Sequence, residues 1–248
     1  MRDNKKFLEG LQELGIVLND TQLEQFEKYY DLLIEWNRIM NLTAITEYDE
    51  VIVKHFLDSL SLVKCSDYLN IKETSNKIKI LDMGTGAGFP GVPLKIAFPH
   101  LNVLLVDSLN KRINFLNEVI KKVELSDIEA IHARAEELGQ NQEYRESYDL
   151  CVSRAVAKLY LLSEYCLPFV KKNGYFIPYK SGSIDEEISE AKYALGKLGG
   201  RMENAISFVL PCSDMERQLV VIKKCHTTEK QYPRNSAKIS KNPLIKSK

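Results

Sequence analysis

The first 70 residues repeat apolar side chains every three or four positions, which is the spacing of one helix face. The pattern predicts three helices: around residues 7–14, from Thr21 to Met40, and over residues 49–63. Glu24 follows Thr21 by three positions, as in a capping box. We therefore expect residues 1–70 to form a helical cap ahead of the next domain. The positions expected to face inward are Leu23, Phe26, Tyr30, Leu33, Met40, Val53, Phe56, Leu60 and Val63.

From residue 78 onward, short apolar runs alternate with segments of helical spacing. This alternation is typical of a parallel, doubly wound α/β sheet with right-handed crossovers. The last two runs have no helix between them, so we expect an antiparallel end to the sheet. The predicted sheet domain covers residues 71–225, with strands at Ile78–Leu81, Val103–Val106, Ile128–His132, Leu150–Ser153, Tyr175–Pro178, Ile206–Leu210 and Leu219–Lys223, and helices at Pro90–Phe98, Lys111–Val123, Leu159–Val170 and Ile184–Leu198.

A glycine-rich turn follows the first predicted strand, with Gly84, Gly86 and Gly88 at alternate positions. In an open parallel sheet, this turn borders the nucleotide-binding crevice. A dinucleotide motif would need glycine where Phe89 stands, and no Gly-Lys-Ser/Thr of a P-loop is present. Asp82 would repel a pyrophosphate but attract the sulfonium and ammonium of S-adenosylmethionine (SAM). SAM is therefore favoured, with a dinucleotide or a purely structural turn as alternatives.

Acidic residues also follow the next two predicted strands. Asp107 lies nineteen residues after Gly88, close to the spacing of an acid that binds ribose hydroxyls. It also suits the N-cap of the following helix. Ala135 and Glu136 follow the third strand and could border an adenine ring, or could simply begin a helix. Both readings stay open at both places.

The fourth predicted strand ends at Ser153-Arg154-Ala155, so Arg154 is expected to face the crevice. This sequence is not the Asn/Asp-Pro-Pro-Tyr/Phe expected of an adenine-N6 methyltransferase. Cys212, in a Pro-Cys-Ser context, resembles the nucleophile of a cytosine-C5 enzyme, but it follows the sixth strand, outside the crevice. We therefore expect no cysteine nucleophile.

The composition is that of an ordinary globular chain of 248 residues, 44% hydrophobic and 27% charged. No apolar run is long enough to span a bilayer, and the N-terminus lacks the apolar core of a signal peptide. The five cysteines and four histidines are scattered, without Cys-x-x-Cys. We therefore expect a reduced, cytoplasmic protein without a metal site or a membrane segment.

The formal net charge is zero, but it is unevenly distributed. Residues 226–248 carry six basic residues against one acidic residue, a net charge of +5, so the other 225 residues sum to −5. This tail is poor in apolar residues and cannot form a core of its own. It is either a frayed terminus or an arm that binds phosphates.

Several runs together resemble the bacterial small-subunit rRNA methyltransferase G family, guanine-N7 enzymes once called glucose-inhibited division protein B. The resemblance covers the chain from about residue 20 to the tail. The runs that carry it are Trp36–Thr43, Lys54–Leu60, the glycine turn through Pro90-Gly91, Asp107-Ser108 with Lys111-Arg112, and Ser153–Ala155.

The resemblance implies a class I SAM-dependent methyltransferase that modifies N7 of one guanine in the decoding-region loop of 16S rRNA, by in-line transfer without a covalent intermediate. Its substrate would be 16S rRNA or the small ribosomal subunit, and the enzyme would be a monomer. Lys54 departs from the arginine of many members, which weakens any phosphate contact there. SAM contacts would fall on Gly84, Phe89, Ala135, Glu136 and Arg154, to which the pattern above adds Asp82, Gly86 and Asp107. The active site would include Arg154, His55 and Asn41, and RNA contacts would include Arg134, Lys111, Arg217, Arg234 and Lys238.

Three other functions remain to be separated from this one. A NAD(P)-dependent oxidoreductase would bind NADH and not SAM. A methyltransferase for a small molecule would lack the steep salt dependence of RNA binding. An RNA-binding module without catalysis would incorporate no methyl group.

Overall fold

The computed structural model describes residues 2–75, 77–154, 157–182 and 184–246. Its N-terminal region is helical, as predicted, and the third helical segment changes its winding along its length. The bounds are α1 (Lys5–Glu13), α2 (Asp20–Met40), and a third segment that runs from α3 (Tyr48–Val51) through a π-helix (Ile52–Leu57) and α4 (Asp58–Leu60) to a 3-10 helix (Ser61–Cys65).

The inward positions of the cap are mostly as predicted. Phe26, Leu33, Phe56 and Leu60 are almost completely buried, whereas Leu23 and Met40 are only half-buried. These side chains pack in the same continuous apolar cluster as the sheet. Whether residues 1–70 form a separate domain therefore remains a prediction.

The capping box of α2 lies two residues earlier than predicted. The Asn19 side chain accepts a hydrogen bond from the Gln22 backbone N–H at 2.9 Å, and the Gln22 side chain accepts one from the Asn19 N–H at 3.0 Å. The prediction of Thr21 with Glu24 was wrong because asparagine and glutamine satisfy the same two donors.

A seven-stranded sheet forms the rest of the core, in the order β3-β2-β1-β4-β5-β7-β6. Strands β1 to β5 are parallel, and β7 runs antiparallel to both β5 and β6. The predicted doubly wound sheet with an antiparallel end is confirmed. The strands are β1 (Lys79–Met83), β2 (Asn102–Asp107), β3 (Ile128–His132), β4 (Tyr148–Ser153), β5 (Val170–Ser181), β6 (Gly200–Val209) and β7 (Glu216–Lys224).

Helices cover the sheet close to the predicted positions. The helix predicted to reach Val170 ends earlier, at Cys166, and a 3-10 helix (Leu167–Phe169) follows it. Pro168 lies in that turn and has no N–H to continue an α-helix. The helices are α5 (Gly91–Ala97), α6 (Asn110–Lys122), α7 (Ala135–Leu138), α8 (Leu159–Cys166), α9 (Asp185–Lys197) and α10 (Ser236–Lys241).

The strand order reverses between β1 and β4, and this position opens the crevice of a doubly wound sheet. The cap packs directly against the glycine turn at its edge. The Tyr29 hydroxyl donates to the Ala87 carbonyl at 2.5 Å, and the Tyr29 ring packs against Phe89 at 5.5 Å between centroids. The helical cap thus holds one wall of the crevice in place.

The C-terminal tail is packed on the body of the protein, so a frayed terminus is the wrong interpretation. Tyr232, Ile239 and Leu244 are buried. The Arg234 guanidinium forms two hydrogen bonds with the Glu164 carboxylate, at 2.8 and 2.7 Å. Neighbouring elements therefore supply the core that the tail cannot form alone.

We predict that Gly88→Ala lowers the free energy of unfolding by about 3 kcal/mol, because a side chain is strained at φ +100° and collides with its neighbours. The new methyl would lie 2.7 Å from Val92 Cγ2 and 2.8 Å from the Tyr29 hydroxyl. Urea unfolding measures the change. Gly196→Ala, in α9 with nothing within 4 Å, is the matched control and should stabilise by about 0.5–1 kcal/mol. Equal effects of the two variants would contradict the prediction.

Candidate active site

The glycine turn connects β1 to α5 in a conformation that its glycines require. Gly84, Gly86 and Gly88 have φ of 70°, 64° and 100°, the left-handed region that other residues rarely adopt. A Cβ on Gly86 would meet nothing within 4 Å, so this glycine borders open space at the strand ends. The turn therefore presents bare backbone to that space, as close approach to a ligand requires.

Asp82 supports the turn from inside. It is completely buried, and its Oδ2 accepts hydrogen bonds from the Thr85 hydroxyl at 2.6 Å and from the Gly91 N–H at 2.8 Å. Burial raises the pKa of Asp82 to about 6. Its Oδ1 is buried without a partner among the described residues. A direct contact of Asp82 with SAM does not fit this burial, so the predicted role is corrected to support of the turn.

Asp107 joins the ends of β1 and β2. Its Oδ2 accepts from the Gly86 N–H at 2.9 Å and from Arg112 at 3.1 Å, while Oδ1 accepts from the Leu109 N–H at 2.9 Å. The N-cap of α6 is Leu109, so the alternative of Asp107 as the N-cap was wrong. Contact with a ribose stays a prediction, and the structure adds that this carboxylate shapes the glycine turn.

Arg154 lies just after β4, and two other predicted site residues, His55 and Phe89, lie against it. One guanidinium nitrogen, Nη2, lies 3.1 Å from His55 Nδ1, and the guanidinium carbon lies 4.9 Å from the centre of the Phe89 ring. The rings of His55 and Phe89 are stacked at 4.5 Å. Because Phe89 ends the glycine turn, this cluster connects the turn to the space beyond β4.

His55 is held neutral between polar neighbours. Its Nδ1 lies 3.1 Å from both Arg154 Nη2, which only donates, and the Lys54 carbonyl, which only accepts, and its Nε2 lies 2.9 Å from the Thr43 hydroxyl. Burial and the charge of Arg154 lower the pKa of His55 to about 3. Both ring nitrogens are thus engaged, and the imidazole is uncharged at neutral pH. His55 lies in the π-helix, a winding often found at functional sites.

Asp58 is the site residue that the sequence analysis did not single out. It is buried, and its two oxygens accept from Arg154 Nη1 at 2.9 Å and from Arg217 Nε at 3.1 Å. A usable signal was present, since this acid lies between the apolar positions Phe56 and Leu60. A carboxylate on an inward face needs a cation to remain charged.

A basic cavity of about 680 Å³ opens beside this cluster, at the ends of β4 and β5. Its described lining carries more cations than anions. The basic lining residues are Lys54, Arg154, Lys158, Lys180 and Arg217, and the acidic ones are Asp58 and Glu187. The three lysines are partly neutralised by ion pairs: Lys54 by Glu50, Lys158 by Glu190 and Lys180 by Glu187. The excess of positive charge suits a polyanion.

The remaining predicted cofactor residues lie on the opposite side of the crevice. Ala135 and Glu136 begin α7, after β3, and the backbone N–H of Ala133 donates to the Asp107 carbonyl at 3.2 Å. The loop before α7 therefore borders the same strand ends as the glycine turn.

Of the other predicted residues, Arg134, Lys111 and Lys238 are exposed. Asn41 is also exposed, at the left-handed C-cap of α2, and it is not among the described residues that line the basic cavity. The predicted RNA contact of Arg234 does not fit the structure, because its guanidinium already donates to the Glu164 carboxylate and the Asn242 carbonyl. Ala155, part of the quoted motif, lies outside the described residues.

The sheet order, the antiparallel β7 and the glycine turn at the end of β1 define a class I SAM-dependent methyltransferase fold. The solved structure of MtNAS in complex with MTA and tNA shares this fold, with a TM-score of 0.53 and 14% identity over 82% of this chain and 70% of that chain.

A family model described as rRNA small subunit methyltransferase G matches residues 22–220. Curated relatives are named ribosomal RNA small subunit methyltransferase G. That of Lachnoclostridium phytofermentans is 62% identical over the full length of both chains, and that of Bacillus subtilis is 48% identical over 97% of this chain and 98% of its own. The chain belongs to the rRNA small subunit methyltransferase G family, which confirms the family resemblance predicted from the sequence.

The residues at the glycine turn fit SAM. The open space beside Gly86 admits a ligand. The Asp82 carboxylate beneath the turn suits a cationic ligand, whereas the Asp107 carboxylate is paired with Arg112 and holds the Gly86 N–H. Within the described part of the chain, no helix is long and apolar enough to cross a membrane, and no group of three acidic, histidine or cysteine side chains is placed to hold a metal ion.

We predict that His55 makes the protein sensitive to acid. Because the folded-state pKa lies below the ordinary 6.5, only the unfolded chain takes up the proton as the pH falls below 6.5. Between pH 6.5 and 4, this contribution should lower the free energy of unfolding by about 3 kcal/mol. Chemical unfolding of wild type and His55→Phe over this range measures it, and the variant should lose less stability. His226→Phe, at an exposed position, is the control, and an unchanged slope in His55→Phe would refute the assignment.

Proposed function

We propose that this enzyme transfers the methyl group of SAM to N7 of one guanine in the decoding-region loop of 16S rRNA. The single observation that carries the proposal is the cluster of Arg154, His55 and Phe89. It joins the glycine turn to the basic cavity, so a methyl donor and an RNA base would meet beside it. Membership of the rRNA methyltransferase family supports the same substrate.

The protonation states at the cavity suit a nucleophile that needs no deprotonation. SAM, when bound, supplies an electrophilic methyl group on a sulfonium. Guanine N7 already carries an in-plane lone pair. Among the described lining residues, the groups that could act as a base are all engaged: His55 by Arg154 and Thr43, Asp58 by two arginines, and Glu187 by Lys180. The site is therefore better suited to positioning the base than to proton transfer.

Positioning is the main contribution that we assign to the protein. Orientation of two reactants can supply roughly 7–11 kcal/mol of the barrier. Asp58 and Phe89 hold the Arg154 guanidinium in one position, between the glycine turn and the basic cavity. The Arg154 guanidinium, whose Nη atoms contact Asp58, His55 and the Lys54 carbonyl, would form one wall of the guanine site, and the cations of the cavity would contact flanking phosphates.

The substrate constrains how the reaction can occur. The guanine must be presented from a loop or flipped out, because a stacked, paired base cannot reach the methyl group. The reaction needs no metal, since no proton has to be removed before attack.

The proposal also includes the location and the state of the enzyme. We place the enzyme in the cytoplasm, as a monomer that acts on 16S rRNA or on the assembled small subunit.

The decisive experiment maps N7-methylguanine in 16S rRNA from cells with and without this gene. The proposal expects one guanine in the decoding-region loop to lose its methyl group when the gene is deleted and to regain it on complementation. An unchanged pattern would reject it. Labelled SAM with purified enzyme, naked 16S rRNA and small subunits then identifies the substrate form, and a steep fall of RNA binding with salt separates it from a small-molecule methyltransferase.

We predict that Arg154→Ala lowers the rate of methyl transfer to 16S rRNA by about 100-fold, because the guanine is no longer held in place. Arg154→Lys should also be strongly impaired, since lysine cannot contact Asp58 and His55 with one planar fork. Circular dichroism checks that both variants are folded. The control is Arg201→Ala, on β6, whose side chain bonds only to Glu203 in the described structure. Turnover of Arg154→Ala within about twofold of wild type would reject the role.

A further inference from the structure

A single side chain of the body, Arg145, contacts three residues of the tail. Its guanidinium donates to three tail carbonyls, those of Tyr232 at 2.7 Å, Thr228 at 2.7 Å and Glu229 at 3.0 Å. It also donates to the carbonyl of Gly139, directly after α7, at 2.8 Å. Arg145 thus ties the tail to the C-terminal end of α7.

Two further contacts join the tail to the same end of α7. The Gln140 side chain donates to the Pro233 carbonyl at 2.9 Å. Gly139 lies so close to Pro233 that a Cβ would be 2.8 Å from the proline ring. On its other side the tail is anchored to α8, where Arg234 pairs with the buried Glu164.

The other end of α7 leads to the glycine turn. In the loop before it, the Ala133 N–H donates to the backbone carbonyl of Asp107, whose side-chain carboxylate separately accepts from the Gly86 N–H. A helix of four residues has little stability of its own and depends on packing. The position of α7 is therefore set by the tail at one end and by Asp107 at the other.

We propose that the tail, residues 226–246, acts through Arg145 as a brace for α7 and so sets the adenine side of the SAM site. Arg145 is a positioning residue for SAM, which it does not touch. This inference rests on the proposed function and on the contact with SAM that the family resemblance implies for Ala135 and Glu136, at the start of α7.

The alternative use of the tail is an RNA-binding arm. The contacts favour the brace, because the arginine of the tail is neutralised by Glu164 and its apolar residues Tyr232 and Ile239 are buried.

The test measures the Kd of SAM by titration calorimetry without RNA, using full-length Arg145→Ala and Arg145→Lys. We expect Arg145→Ala to raise the Kd about tenfold, the size of a typical coupling between sites, with Arg145→Lys in between. At saturating SAM, kcat should stay within about twofold of wild type. Hydrogen exchange should be faster at the amides of residues 137–139. Arg201→Ala is the matched control and should leave the Kd unchanged.

Gln140→Ala provides a second, milder variant in case Arg145→Ala does not fold. It removes one hydrogen bond from an exposed side chain, and we expect a rise in the Kd of about threefold. Faster exchange in α7 with an unchanged Kd in folded variants would overturn the brace. A weaker affinity for RNA with an unchanged Kd for SAM would overturn it in favour of the arm. If the wild-type protein bound no SAM, the proposed function itself would fail, independently of the variants.

Discussion

A buried carboxylate shared between two arginines is the interaction on which the active-site edge depends. Asp58 accepts from Arg154, after β4, and from Arg217, in β7. Removing one partner of such a buried pair leaves an uncompensated charge and costs about 3–5 kcal/mol. Because Asp58 follows the π-helix that carries His55, one charge network aligns the cap with two strands of the sheet. The position of Arg154 in the active site therefore depends on how the cap packs against the sheet.

The two other acids at the strand ends, Asp82 and Asp107, stabilise the glycine turn itself. Asp82 holds the glycine turn from within, and Asp107 holds it from the neighbouring strand. Their hydrogen bonds explain how three glycines with positive φ keep one conformation. A turn that is fixed in this way presents its backbone to SAM without a further cost of ordering on binding. The Asp82 carboxylate also favours a cationic ligand over a pyrophosphate.

Most of the fold could be predicted because its signals are local. Alternating apolar runs predicted all seven strands, and the missing helix between the last two predicted their antiparallel pairing. The errors came where two sequence features a few residues apart predict different ends for the same helix. Asn19 with Gln22 caps α2 in place of Thr21 with Glu24, and Pro168 ends a helix that the apolar pattern alone would extend. The sequence left the tail as a frayed terminus or a phosphate-binding arm, and its packing was not predicted because its apolar partners lie far away in the sequence.

The sequence by itself determined the class of sheet, the glycine turn and the family, since each is written in contiguous residues or in their spacing. It also marked Arg154, His55 and Phe89 as members of one site through the resemblance. Only the tertiary structure decided how they are used: that both ring nitrogens of His55 are engaged, that Asp58 joins Arg154 to Arg217, and that Arg234 pairs with Glu164. These facts depend on contacts between residues far apart in the chain. Burial and charge pairing, which set protonation, exist only once those residues have been brought together.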